Sequence, residues 1–181
     1  MKLASINTIT FEPWEVEEAK AWAKFMDQKN QGEKTINLIS TKNITGYLCH
    51  LAVEKVFDQC GVEFNTTRIN KFEHGDSYDL IFENDRIDVK GQKRTFDDKW
   101  FFNQKMWVAD WHIRKQETHY CFVWHNHDYS IARIFGIIGA DEFEERSKPG
   151  QFVLKETGKV IKYKYVLSKD LRPLRDYIFR V

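Results

Sequence analysis

Cysteine is scarce: the 181 residues hold only Cys49, Cys60 and Cys121. An odd number at irregular spacing excludes a disulfide framework and a zinc cluster, and fits a reducing compartment. No apolar run approaches the roughly 20 residues that a membrane span requires, at the amino terminus or elsewhere, so no membrane partner is expected. Charge of one sign is missing too. The formal net charge of +1 supplies no bulk attraction to a polyanion, so any electrostatic footprint must come from segregation along the chain. Internal repeats, low-complexity runs and Ser/Gly linkers are absent, which makes one domain over residues 1–181 the economical expectation. With 42% apolar and 15% aromatic residues, disorder is excluded and a sizeable core is expected.

Charge is in fact segregated. Glu73, Asp76, Asp79, Glu83, Asp85 and Asp88 crowd one segment, whereas Lys159, Lys162, Lys164, Lys169, Arg172, Arg175 and Arg180 dominate a basic carboxyl-terminal segment over 151–181. An acidic pocket between basic flanks suits a polyanionic substrate; scattered solvated charges are the plain alternative.

The chemistry concentrates in Asp79-Leu80-Ile81-Phe82-Glu83-Asn84-Asp85-Arg86-Ile87-Asp88-Val89-Lys90. Alternating apolar and polar residues predict two short strands joined by a polar turn, half buried. A tip at Asn84 and Asp85, or a symmetric four-residue loop, sets Leu80 opposite Val89, Phe82 opposite Ile87 and Asp79 opposite Lys90. Opposed side chains lie about 5 Å apart and diagonal ones about 7–8 Å, so Asp79, Asp88 and Lys90 can share one small volume above an apolar floor. Two carboxylates at that separation suit a hard divalent cation, Mg²⁺ first, with Mn²⁺ as substitute. Solvated charges on the wet face of an ordinary hairpin are the competing reading.

Asp79 followed by Asp88-Val89-Lys90 resembles the signature of the PD-(D/E)xK nuclease superfamily: an acid on one strand, then an acid, any residue and a lysine on the next. The residue before Asp79 is Tyr78, where the family often has proline. The resemblance implies an α/β, restriction-endonuclease-like fold, a mixed central sheet flanked by helices, and Mg²⁺-dependent cleavage of DNA phosphodiester bonds. It further implies Asp79, Asp88 and the carbonyl of Val89 as metal ligands and Lys90 at the attacking water. Family members often carry a glutamate on the helix before the hairpin, and Glu54 stands where one is expected, as a third ligand or an orienter of Lys90. Gln92, two residues beyond Lys90, would orient the water or a phosphate oxygen, or else be a solvent-facing amide. A compact endonuclease acting on DNA, dimeric where it cuts both strands, in the cytoplasm of a bacterium or phage-infected cell, is what the family implies. A non-catalytic nucleic-acid-binding or interaction module that keeps the fold is the alternative.

Elsewhere the pattern predicts an amphipathic helix over 13–28, a short apolar segment at 36–39, and a helix from Ile44 to Cys60 stopped at Gly61. Within that second helix Ile44, Leu48, Leu51, Ala52 and Val56 form the buried stripe and Glu54 stands at its margin. A strand is expected within 62–72, with a turn at 74–77 holding Asp76. After Lys90, Lys93, Arg94, Lys99, Lys105, Arg114 and Lys115 alternate with Phe96, Trp100, Phe101, Phe102, Trp107 and Trp111, a candidate DNA-contacting stretch or else core. Strands are expected at 119–124, 130–138 and 160–166, a short helix at 139–145, and a loop at 147–150. His125-Asn126-His127 falls in a turn and is given no metal role; Gln116-x-x-x-Tyr120 matches a spacing of some exonuclease branches but enters a strand.

Overall fold

The computed structural model describes residues 7–31, 41–66, 79–94, 103–113, 116–154 and 157–180. The expected apolar segment at 36–39, the acids Glu73 and Asp76, the aromatic run at 96–102, and Lys99, Arg114 and Lys115 lie outside the described residues. Four helices are described: α1 (Pro13–Gln31), α2 (Thr41–Cys60), α3 (Ala140–Arg146) and α4 (Leu174–Ile178). The described strands are β1 (Asn7–Thr10), β2 (Asn65–Thr66), β3 (Leu80–Phe82), β4 (Asp85–Lys93), β5 (Lys105–Ala109), β6 (His119–His125), β7 (Ile131–Gly139), β8 (Lys148–Val153) and β9 (Val160–Leu167).

The chain is mixed α/β. Six strands form a mixed sheet in the order β1-β7-β6-β4-β3-β2, and β5-β9-β8 form a second, antiparallel sheet. In the larger sheet β4 and β6 run parallel and every other pairing is antiparallel. A parallel pair needs a long crossover, and residues 94–118 supply it, with β5 inside that connection.

Two cores lie on the two faces of the larger sheet. On one, Leu80, Phe82, Ile87, Cys121, Val123 and Ile134 meet the helices, through Ala19 and Ala23 of α1, Leu48, Val53 and Phe57 of α2, and Leu174 and Tyr177 of α4. On the other, Tyr120, Phe122 and Trp124 meet Met106, Val108 and Val166 of the second sheet and Phe143 of α3. The flanking layer on that face is therefore mostly sheet. Helix α2 is buried on nearly every side, including Tyr47, Cys49 and Val53 outside the expected stripe, because it is enclosed by α1 and the sheet; a helix apolar all round belongs in such a place. Glu54, expected at the margin of that stripe, is buried at 5% exposure. Helix α1 starts where the Glu15 side chain reaches back, its Oε2 accepting from the Glu12 N–H at 2.7 Å and from Lys55 at 2.6 Å.

Two expectations are corrected. Residues 148–153 form an edge strand, where a loop was expected at 147–150; an edge position tolerates Pro149, and Gly150 stands opposite Tyr163. Within the aromatic and basic stretch, for which no element was expected, Lys105–Ala109 forms a strand that buries Met106 and Val108. The hairpin register differs by two residues: Phe82 pairs with Asp85 and Leu80 with Ile87. The turn is Glu83-Asn84, with Glu83 at φ 53°, a left-handed conformation of the kind tight two-residue hairpins demand. Asp85 is kept out of the tip because Tyr177 donates to its Oδ2 at 2.6 Å and Arg180 bridges Glu83 and Asp85. A shift of two leaves each side chain on its expected face, and continuing the register brings Asp79 level with Asp88 instead of Lys90.

Candidate active site

Strand β4 positions the site. Its apolar residues Ile87 and Val89 face the helices, so Asp88, Lys90 and Gln92 share the opposite face, level with Tyr120, Phe122 and Trp124 of β6. Gly91 lets the strand approach α2: a Cβ there would stand 2.7 Å from Cys49 Sγ. The β3 ladder covers β4 only from Asp85 to Ile87. Beyond it, the Val89 N–H donates to Asp79 Oδ2 at 2.8 Å, so the Asp79 carboxylate takes over where the ladder ends. In an extended strand the N–H and C=O of one residue point to the same side, which directs the Val89 carbonyl toward Asp79.

Asp88 and Lys90 form an ion pair, their side chains 13% and 17% exposed, and the Lys90 ammonium also stands 5.9 Å over the Tyr120 ring. Asp88 is pushed well above the usual carboxylate range. Burial is the main cause; Lys90 opposes it, and the carboxylates of Asp79 and Glu117 add to it. Glu117 is buried and accepts from the Tyr120 hydroxyl at 2.7 Å and the Gln116 N–H at 2.9 Å. Three carboxylates, those of Asp79, Asp88 and Glu117, thus interact here beside Lys90.

Glu54 reaches this group through His50. Its Oε1 lies 3.5 Å from His50 Nε2, and His50 Nδ1 stands 4.0 Å from Asp79 Oδ1. The Thr66 hydroxyl lies 3.2 Å from the same Nε2. The structure therefore brings Asp79, Asp88, Val89 and Lys90 together, with Glu54 one side chain removed. His50 and Glu117 had no role in the sequence reading. Glu117 stood three residues before Tyr120 as a signal; His50 stood one helical turn before Glu54, a spacing that puts the two on one face.

Gln92 continues the face, but its amide oxygen is held by Arg94 Nε and Nη2 at 3.2 and 3.1 Å. A cleft of about 740 Å³ opens here, lined by Asp79, Lys90, Gln92, Lys93 and Arg94, with Trp107 of β5 on its wall and the first residues of α2 at its rim. Arg94 also lies over the Trp124 ring at 5.5 Å, and Lys93 over Tyr129 at 4.9 Å. Lys105 points away from this group, its ammonium 4.5 Å over Tyr165.

Among the described residues no group of three or more His, Cys, Asp and Glu side chains forms a ready metal cage. Asp79, Asp88 and the Val89 carbonyl, neighbours along this stretch, offer oxygen donors alone. That set fits Mg²⁺, which keeps several waters and takes one or two carboxylates from a protein. Cys49 and Cys121 are fully buried, and burial pushes both thiols up, which removes them as nucleophiles. The turn after β6 is structural: His125 is buried, with Nδ1 2.7 Å from the Asn126 carbonyl and Nε2 2.8 Å from the Thr45 hydroxyl. Since a carbonyl only accepts, the proton sits on Nδ1 and Thr45 donates to Nε2.

Compared with known proteins, the chain matches no family model and no curated protein. Among the described residues, no helix is long and apolar enough to cross a membrane.

Proposed function

We propose that the protein is a Mg²⁺-dependent DNA endonuclease with a restriction-endonuclease-like fold. The observation that carries this reading is the pairing of Asp79 with Val89 where β3 ends. It sets the first acid beside the acid-x-lysine of β4, and Asp79, Val89 and Lys90 line a cleft that Lys93 and Arg94 line as well. The parallel β4–β6 pair and the helix α2 behind the hairpin support the fold part of the reading.

In this reading Asp79, Asp88 and the Val89 carbonyl hold the cation, which when bound supplies charge neutralisation at the phosphate and an acidified water. Lys90, already aligned by Asp88, orients that water. His50 and Glu54 hold the Asp79 carboxylate in position from the helix side. Lys93 and Arg94 pair with flanking phosphates and fix register along the backbone.

The ion pair of Asp88 with Lys90 and the bond from Val89 to Asp79 also give each charge a partner within the chain, which favours, as the second reading, a binding module without metal chemistry. The two separate on incubation with supercoiled plasmid, linear duplex and branched DNA. The nuclease nicks or cuts at least one with Mg²⁺ or Mn²⁺ and none with chelator. Retention without cutting under every metal condition leaves the binding module.

A further inference from the structure

The outer face of the second sheet is assembled from aromatic rings and lysines. Met106, Val108 and Val166 point into the core shared with the larger sheet. Alternation therefore turns Lys105 and Trp107 of β5 outward, and the register adds Tyr165 and Tyr163 of β9 and Lys148 of β8 on the same side. The Trp107 ring lies 5.7 Å from Phe152 and 5.5 Å from Tyr163, and Tyr163 lies 5.8 Å from Phe152 and 6.1 Å from Tyr165. Phe152 is 36% exposed. Gly150 sits beneath Tyr163, where a Cβ would meet the ring at 2.5 Å, so glycine here lets the ring lie against the strand.

The charge on these strands has one sign. On this face the charged residues of the three strands are Lys105 and Lys148, and none is a carboxylate; Lys162 and Lys164 alternate to the opposite side, where Lys164 lies 3.8 Å from Glu144. Rings gain from an occupant that offers π-faces, and lysines from one that offers phosphates; unpaired nucleotides offer both. A duplex hides its base faces in the stack and would use the lysines alone. The surface is also continuous with the cleft, because Trp107 belongs to the platform and to the wall that Lys90 and Arg94 line.

We propose that this sheet face is a stacking platform for single-stranded nucleic acid that runs into the cleft, so that the preferred substrate carries an unpaired segment beside the bond to be cut. The choice of substrate rests on the nuclease reading above; the binding of a single strand does not.

The test measures fluorescence anisotropy of a labelled oligo-dT and of a blunt duplex of equal length, with the full chain in chelator, so that cleavage plays no part. The single strand is expected to bind more tightly than the duplex, and Phe152→Leu and Tyr165→Leu each to weaken it roughly tenfold, about one base–ring stack. Duplex affinity is expected to stay unchanged in both, and Phe152→Tyr, which keeps a ring, to stay near wild type. Equal affinity of wild type for the two DNAs, or leucine variants that bind oligo-dT as wild type does, overturns the proposal. So does a wild-type dimer that Phe152→Leu converts to monomer, since the face would then belong to a second copy. Circular dichroism of each variant excludes loss of fold, and Lys105→Gln provides a second route to the same loss without removing a ring. Tight single-strand binding with no metal-dependent cutting of any DNA would sink the nuclease reading and leave the platform standing; cutting of plain duplex with no single-strand preference would do the reverse.

Discussion

Asp85 and Asp88 lie three residues apart on β4, and the two are held in opposite ways. At the hairpin tip, Asp85 accepts from the Tyr177 hydroxyl at 2.6 Å and Arg180 at 3.1 Å, with Thr118 at 3.4 Å and His119 3.5 Å away. Burial alone would raise its pKa, but the Tyr177 bond, His119 and Arg180 outweigh burial and hold it below the usual carboxylate range. At the stem, Asp88, its side chain 13% exposed, pairs with Lys90 and lies near the Asp79 and Glu117 carboxylates, and is raised. Donors that converge on a carboxylate lock a fold in place. Carboxylates gathered about one another raise a pKa, the kind of perturbation that marks a candidate site for chemistry. The tip is a clasp between the hairpin and the carboxyl-terminal helix; the stem is where chemistry is to be sought.

The largest effect expected from this contrast is on activity at the stem. Asp88→Asn and Lys90→Ala should each reduce Mg²⁺-dependent plasmid cleavage by on the order of 100-fold or more. Asp88→Asn should leave the melting temperature near neutral pH unchanged or raised, because the folded surroundings raise this carboxyl's pKa and so disfavour its ionised form. Millimolar Mg²⁺ should raise the melting temperature of the wild type and not that of Asp88→Asn, since a ligand that binds only the folded state stabilises it. A cleavage-competent Asp88→Asn, or one that melts many degrees lower, would make the stem a structural ion pair like the tip.

The tip should behave in the opposite sense. Tyr177→Phe removes the short bond to Asp85 and should cost about 1–2 kcal/mol after allowance for the partial exposure of the carboxylate. For a chain of this size that lowers the melting temperature by a few degrees, with cleavage per folded molecule retained. Urea denaturation and plasmid assays on the same preparation read both. Loss of cleavage without loss of stability would mean that the clasp reaches the cleft.

A pH series sharpens the same contrast at smaller amplitude. The folded pKa of Asp85 lies below the ordinary 3.8, so the folded state favours the ionised form. Its contribution is fully present above the ordinary value and is lost as pH falls through the folded one. Wild type should therefore lose melting temperature below about pH 4 in a step that Asp85→Asn lacks. Identical profiles for the two proteins would show that the clasp does not depend on charge.

The sequence pattern anticipated some of this and could not reach the rest. Alternation in Leu80–Phe82 and Ile87–Val89 was enough to define the faces of the hairpin, and the run from Ile44 to Cys60 to define α2 up to its stop at Gly61. The register was out of reach because the turn conformation is sustained by Arg180, 97 residues from Glu83. Strand β8 was hidden because Pro149 and Gly150 read locally as a loop, while the ring that makes Gly150 necessary comes from β9. His50 and Glu117 entered the site only when α2 and the segment before β6 packed beside β4. Contacts of that range leave no periodicity behind. The acid-x-lysine of β4 was legible for the reverse reason: two side chains two apart on a strand share a face whatever surrounds them.

The smallest effect separates the two partners that hold Asp85. The Arg180 side chain is 43% exposed and bridges Glu83 and Asp85 at 2.7 and 3.1 Å, whereas Tyr177 is buried. Solvent screens the guanidinium but not the hydroxyl, so Arg180→Gln should cost less than about 1 kcal/mol and lose most of that in molar salt, while the cost of Tyr177→Phe should hardly change with salt. Combining the two should be non-additive, because both act on the same Asp85 oxygen. A strictly additive double variant, or a salt-sensitive Tyr177→Phe, would shift the weight of the clasp from the buried hydroxyl to the exposed ion pair and weaken the distinction between the two ends of β4.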